Sequence, residues 1–279
     1  MADFVFESGI KTRNPGPGPQ RTERPDERFD VLGIPVSVTT LDDATARIER
    51  WADDNRGRMI CIRDVHGVMR AQDDPELMAL HQSADMVTPD GMPLVLLGKL
   101  KGLKIERTCG PDLMEQVCAR SPASGLKHYF YGGQEGIALA LAEHMEHRFP
   151  GLRIAGHECP PFRPLTQEED DAVVDRINAS GADIVWVGLS TPKQEMWMRD
   201  HRARLGATLI GVGAAFDFHT GRVERAPEWM QRHTLEWLHR LLCEPRRLWR
   251  RYLLMAPKFV ILSAMQMLSL QAGRGGSPR

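Results

Sequence analysis

Long apolar runs are missing from this 279-residue sequence. No stretch reaches the roughly 20 apolar residues that span a bilayer. The longest, Phe259 to Leu270, is broken by Ser263, Gln266 and Ser269. The N-terminus lacks the basic, apolar, small-residue order of a secretory signal. Cysteine is sparse: Cys61, Cys109, Cys118, Cys159 and Cys243 are odd in number and form no CxxC, which reads as reduced thiols in a cytosolic protein. Also absent are a D-x-D pair, HExxH, a Cys/His zinc pattern, a GxSxG elbow and a P-loop. These absences leave metal-dependent sugar transfer, zinc hydrolysis and Walker-type phosphoryl transfer without their usual residues. No sign of charge dominates either. There are 36 Lys and Arg against 37 Asp and Glu, a formal net charge of −1, so the chain is not coated for nucleic acid.

What is present is a chain of ordinary globular composition, 42% hydrophobic, long enough for one large α/β domain. Residues 1–28, with Pro15, Pro17, Pro19 and Pro25, read as a disordered tail. Residues 29–231 alternate short apolar strands with helices. That pattern predicts a Rossmann-like parallel sheet with helices on both faces. Residues 232–270 read as a helical appendage, and 271–279 as a second disordered tail.

Ligands of open α/β sheets bind beyond the carboxyl ends of the strands, so the polar residues there are informative. Four segments qualify. In Arg63-Asp64-Val65-His66-Gly67, Asp64 and His66 are candidates for substrate contact, against the plainer reading of a capped helix start. In Pro89-Asp90-Gly91-Met92-Pro93, Asp90 stands where a carboxylate can take a proton from an attacking hydroxyl, against a common Asp-Gly turn. Tyr131-Gly132-Gly133 puts two glycines between strand and helix, where backbone N–H groups can meet a phosphate. Gly211-Val-Gly213 lacks the third glycine of the dinucleotide fingerprint and reads as a tight turn. Pro192-Lys193-Gln194-Glu195 opens a helix after an apolar strand, where an amide and a carboxylate can read a base or sugar.

The charge total hides an asymmetry. From Arg232 onward nine Lys and Arg face only Glu236 and Glu244, a net +7, so the rest of the chain carries −8. Arg240, Arg246, Arg247, Arg250 and Arg251 are interleaved with Trp237, Leu241, Trp249 and Leu253. This mixture suits a helix lying on an anionic membrane surface, and the same guanidinium groups suit a diphosphate.

Together these strings resemble the WecG/TagA/CpsF family of bacterial glycosyltransferases. The matching segments include Asp90-Gly91-Met92-Pro93, Glu106-Arg107, Tyr131-Gly132-Gly133 and Pro192-Lys193-Gln194-Glu195. Arg225-Ala226-Pro227, Leu235-Glu236-Trp237-Leu238 and Glu244-Pro245-Arg246-Arg247 continue the series, and the resemblance runs from Phe29 to Tyr252. It implies an inverting transfer from a UDP-sugar to a polyprenyl-diphosphate-linked sugar, without metal or other cofactor, at the cytoplasmic face of the plasma membrane. The products would be exopolysaccharide or other cell-surface polysaccharide, and self-association is implied. Asp90 takes the place of the proposed base, and Arg107, Gln194 and Glu195 fall among the donor contacts. The C-terminal arginines would meet the acceptor diphosphate. Where many members carry Thr-x-Asn, this chain has Ile62-Arg63-Asp64 followed by His66-Gly67-Val68-Met69, which marks a subgroup whose sugar differs from N-acetylmannosamine. Glucose, as in the xanthan-type members, is one such sugar. Two alternatives from other classes are an NAD(P)-dependent oxidoreductase and a membrane-recruited nucleotide-binding module.

Overall fold

The computed structural model describes residues 26–52, 56–233 and 235–274. The segment 1–25 of the expected N-terminal tail and residues 275–279 lie outside it. A hairpin comes first, β1 (Arg28–Val31) with β2 (Ile34–Ser37), turned at Leu32 and Gly33, both at positive φ as a tight primed turn requires. Next come α1 (Leu41–Ala52), β3 (Met59–Arg63), α2 (Val65–Gln72), α3 (Pro75–Ser83), β4 (Met86–Pro89), α4 (Met92–Leu100) and α5 (Gly110–Ser124). β5 (Lys127–Gly132), α6 (Ile137–Arg148), β6 (Arg153–Glu158), α7 (Gln167–Ser180), β7 (Ile184–Gly188), α8 (Lys193–His201), β8 (Thr208–Gly211) and α9 (Ala215–His219) complete the sheet region. The C-terminal part is helical: α10 (Glu228–Arg232), α11 (Glu236–Cys243), α12 (Pro245–Arg250), a π-helical turn (Arg251–Met255) and α13 (Ala256–Arg274).

Among the described residues six strands form one parallel sheet in the order β4-β3-β8-β7-β5-β6. The expected α/β class and two-faced sheet are found. Alternation along each strand divides the core. Val185, Val187, Leu209 and Val87 face one helical layer with Val68, Leu77 and Leu94. Trp186, Ile210, Ile60 and Met86 face the other with Ile48, Val117 and Leu141. The hairpin protects the β4 edge, where the Val87 N–H donates to Ser37 Oγ at 3.2 Å. From β3 the chain moves outward to β4, then crosses to the other half of the sheet. The topological switch therefore lies between β3 and β8.

Two expectations change at the C-terminus. Helix α13 runs to Arg274, four residues past Leu270, so 271–274 of the expected tail are helical, and 275–279 lie outside the described residues. The run Leu248–Ser269 is also long and apolar enough to cross a membrane by length and composition, with a mean hydropathy of 1.3, although no uninterrupted apolar stretch of that length exists. The reason is that α12, the π-turn and α13 join into one continuous helical run in which arginines and serines are diluted by Leu, Met, Val and Ile.

Candidate active site

The ends of β3 and β4 deliver the first polar groups. Asp64 caps α2, its carboxylate accepting the Gly67 N–H at 2.8 Å, so the plainer reading of that segment is realised. Asp64 and His66 nonetheless both face a cavity of about 310 Å³, at the small end of ligand pockets. Asp90 follows β4, and its N–H donates to the Arg63 carbonyl at 2.8 Å, which fixes the two strand ends together.

Arg107 holds Asp90 in place. Its Nε donates to the Asp90 carbonyl at 2.7 Å and its terminal nitrogen reaches Asp90 Oδ1 at 3.2 Å. The same nitrogen lies 2.8 Å from Glu236 Oε2 on α11. The side chain of Asp90 is 33% exposed, toward the cavity. Burial of the carboxylate pushes its pKa up. Arg107 opposes that shift, while the carboxylates of Asp64 and Glu236 add to it. A carboxyl displaced in this direction is a stronger base than a solvated aspartate, which is what proton abstraction from a hydroxyl needs.

A second guanidinium continues the network. Arg225 meets Asp112 Oδ1 at 2.5 Å and Glu236 Oε1 at 3.4 Å. The Cys109 thiol donates to Asp112 Oδ2 at 2.9 Å. Burial works against ionisation of Asp112, but Arg225 and the thiol outweigh it and hold its carboxyl below the usual range. Cys109 and Pro111, at the start of the 15-residue α5, line the cavity, and Phe218, Trp237 and Arg240 close another side. The Arg240 guanidinium sits 5.8 Å from the centre of the Phe218 ring.

The structure thus brings Asp64, His66, Asp90, Arg107 and Arg240 to one cavity. The other sequence-predicted positions lie elsewhere. Gly132 and Gly133 end β5, three strand spacings from β3, about 14 Å. There the Gly133 N–H donates to the Gly188 carbonyl at 3.0 Å. A Cβ on Gly132 would come within 2.6 Å of the Gly188 backbone, so close approach of β5 and β7 already requires glycine. Gln194 and Glu195 are buried rather than on the cavity wall. Glu195 is 0% exposed; it pairs with Arg63 and accepts from Thr191 Oγ1 at 3.1 Å and Gln194 Nε2 at 2.9 Å. Arg246 and Arg250 are exposed, away from the cavity, and the side chains of Arg247 and Arg251 lie outside the described residues. Among the described residues no three His, Cys, Asp or Glu side chains converge as a metal ligand set.

Sequence reasoning had no role for Glu236, Arg225, Asp112, Cys109 or the Arg63–Glu195 pair. Glu236 and Arg225 stood inside quoted strings, but neither string says that they meet.

The family description "Glycosyl transferase WecG/TagA/CpsF family" matches residues 29–273, nearly all of the folded chain. The chain belongs to that family. It is therefore a glycosyltransferase. Among curated proteins it is 33% identical, over 75% of its own length and 80% of the other's, to the N-acetylglucosaminyldiphosphoundecaprenol N-acetyl-β-D-mannosaminyltransferase of Bacillus spizizenii. The Asp90 cavity is assembled by Asp90-Gly91, Arg107 and the start of the C-terminal helices, all within the residues that match the WecG/TagA/CpsF family.

Proposed function

We propose that the protein transfers a hexose or N-acetylhexosamine from a UDP-sugar to a polyprenyl-diphosphate-linked sugar, with inversion and without a metal ion. The observation that carries this reading is Asp90, seated at the end of β4, clamped by Arg107 and facing the cavity. The named acceptor of the Bacillus spizizenii relative, a diphosphoundecaprenol sugar, supports the acceptor class. Asp90 takes the proton of the acceptor hydroxyl as that oxygen bonds to the anomeric carbon. The bond from that carbon to the donor's β-phosphate oxygen breaks, and UDP leaves. Arg107, Arg225 and Arg240 supply the positive charge that the departing diphosphate needs. Glu236 contacts both Arg107 and Arg225, so donor phosphates compete with that carboxylate for the two guanidinium groups.

A lipid-linked acceptor and the basic C-terminal helices support peripheral attachment at the cytoplasmic face of the plasma membrane as part of the same proposal. We expect it to serve exopolysaccharide or cell-surface polysaccharide synthesis. The test is a panel of UDP-sugars offered with polyprenyl-diphosphate-linked glucose and N-acetylglucosamine, with and without EDTA. UDP release that requires both substrates and survives EDTA is the expected result. Release that occurs without any acceptor, or that EDTA abolishes, contradicts it.

A further inference from the structure

Helix α4 presents two large leucines to solvent, Leu96 at 56% and Leu100 at 64% exposure, while Leu94, Val95 and Gly98 are buried on its inner side. Helix α13 has the same construction. Phe259 and Ser263 are buried, and Val260, Ile261, Met265 and Leu268 are exposed. Helix α13 packs on α2, and its two ends come to the same places as the two ends of α4. At one end Pro93 and Ala256 border the same cavity. At the other end Lys101 donates to the Asp30 carbonyl, and Gln266 donates to the carboxylate of that same residue. Ala256 to Gln266 is about 15 Å of helix and Pro93 to Lys101 about 12 Å, so the paired length agrees.

We propose that α4 and α13 form one bilayer-docking face, with the mouth of the Asp90 cavity at its end, and that α4 is as necessary to it as the basic C-terminal helices. This rests on the membrane-surface reading above and adds a second, sequence-distant half to it. Charge selects the occupant. Residues 92–104 carry Lys99, Lys101 and Lys104 and no acidic residue. Residues 245–274 carry five arginines and Lys258, and again no acidic residue. Both segments of the stripe supply only cations, and the acidic neighbours are Asp30 at its far end and Asp73, 3.8 Å from Lys258 Nζ. The excess of positive charge fits an anionic lipid surface, whereas a second copy of the same face would meet like charge. The run Leu248–Ser269 has the length to cross a bilayer. It is instead seated on the protein through Leu248, Phe259 and Ser263, and Gln266 accepts the Leu32 N–H at 3.2 Å. A helix held this way lies in the interface plane.

The test is flotation of the full chain with phosphatidylcholine vesicles, with and without phosphatidylglycerol. It compares the wild type, Leu96→Glu/Leu100→Glu and Val260→Glu/Ile261→Glu, with circular dichroism and sedimentation velocity on each. The expected result is flotation of the wild type with anionic vesicles and a loss of about tenfold or more in bound fraction for both double variants. If only the α13 variant detaches, α4 is not part of the face, and the membrane reading stands without it. If the wild type does not float, both fall. If the α4 variant floats normally but sediments as a smaller species, the leucines join copies of the chain and the proposal is overturned. Should Leu96→Glu/Leu100→Glu not fold, Leu100→Cys labelled with an environment-sensitive dye replaces it. A blue shift on adding anionic vesicles is expected, and an unchanged spectrum overturns the proposal.

Discussion

Glu195→Ala leaves the Arg63 guanidinium charged in the protein interior without its carboxylate. Arg63 is 1% exposed and Glu195 0%, so water cannot replace the lost partner. Breaking a buried pair from one side costs about 3–5 kcal/mol. At about 2–4 °C per kcal/mol for a domain of this size, the unfolding midpoint should drop by roughly 6–20 °C. The pair is also imperfectly satisfied: Arg63 Nε and Glu195 Oε2 have no hydrogen-bond partner among the described residues. Replacing both partners with apolar residues, Arg63→Met/Glu195→Leu, should therefore recover most of the loss. Thermal unfolding followed by circular dichroism at neutral pH reads all three proteins. A Glu195→Ala midpoint within about 2 °C of wild type, roughly 1 kcal/mol or less, refutes the reasoning. Because the Arg63 carbonyl accepts the Asp90 N–H, Glu195→Gln should lower kcat more than it raises the donor KM.

The remaining expectations follow from the same contacts. Arg107→Lys loses the forked donors that meet the Asp90 carbonyl and carboxylate together with Glu236, so donor affinity by calorimetry should fall by about tenfold or more. Since the Asp90 pKa is raised and the base form is the ionised one, kcat/KM should fall as pH drops, beginning above the ordinary carboxylate range. A profile that stays flat down to pH 4 contradicts that. Burial pushes His81 down to about 4 and His128 down to about 3. The unfolded chain takes up protons at these sites near pH 6.5, while the native state stays neutral. Their stability contribution is therefore present above about pH 6.5 and lost as pH falls toward those values, about 3 kcal/mol or more for each. Urea midpoints that do not change between pH 7 and pH 4.5 would falsify this.

Much of the sheet was legible because each parallel strand is a short apolar run bounded by turn residues. Ile184–Gly188 and Thr208–Gly211 are two such runs, each ending at a glycine. Asp90 was legible as a candidate because it follows a strand end, and Arg107, which lies between α4 and α5, only because its string resembles a family. Their partnership with Glu236 was not, since a contact across more than a hundred residues leaves no local pattern. Glu195 illustrates the opposite case. A glutamate at a helix start reads as a solvent-facing helix start or a ligand contact, and only the position of Arg63 on β3 shows that it is an interior counter-ion. The exposed face of α4 was hidden because its composition, Met-Pro-Leu-Val-Leu-Leu, reads as a buried helix when periodicity is weak.

The proposed role of Asp90 is that of base in a sugar transfer to a lipid-linked acceptor. It is tested most directly by comparing single-turnover UDP release in wild type and Asp90→Asn, with the UDP-sugar that the panel selects and a polyprenyl-diphosphate-linked acceptor. The expected rate is at least about 10²-fold lower in Asp90→Asn, with donor affinity retained. A rate within a few-fold of wild type contradicts it.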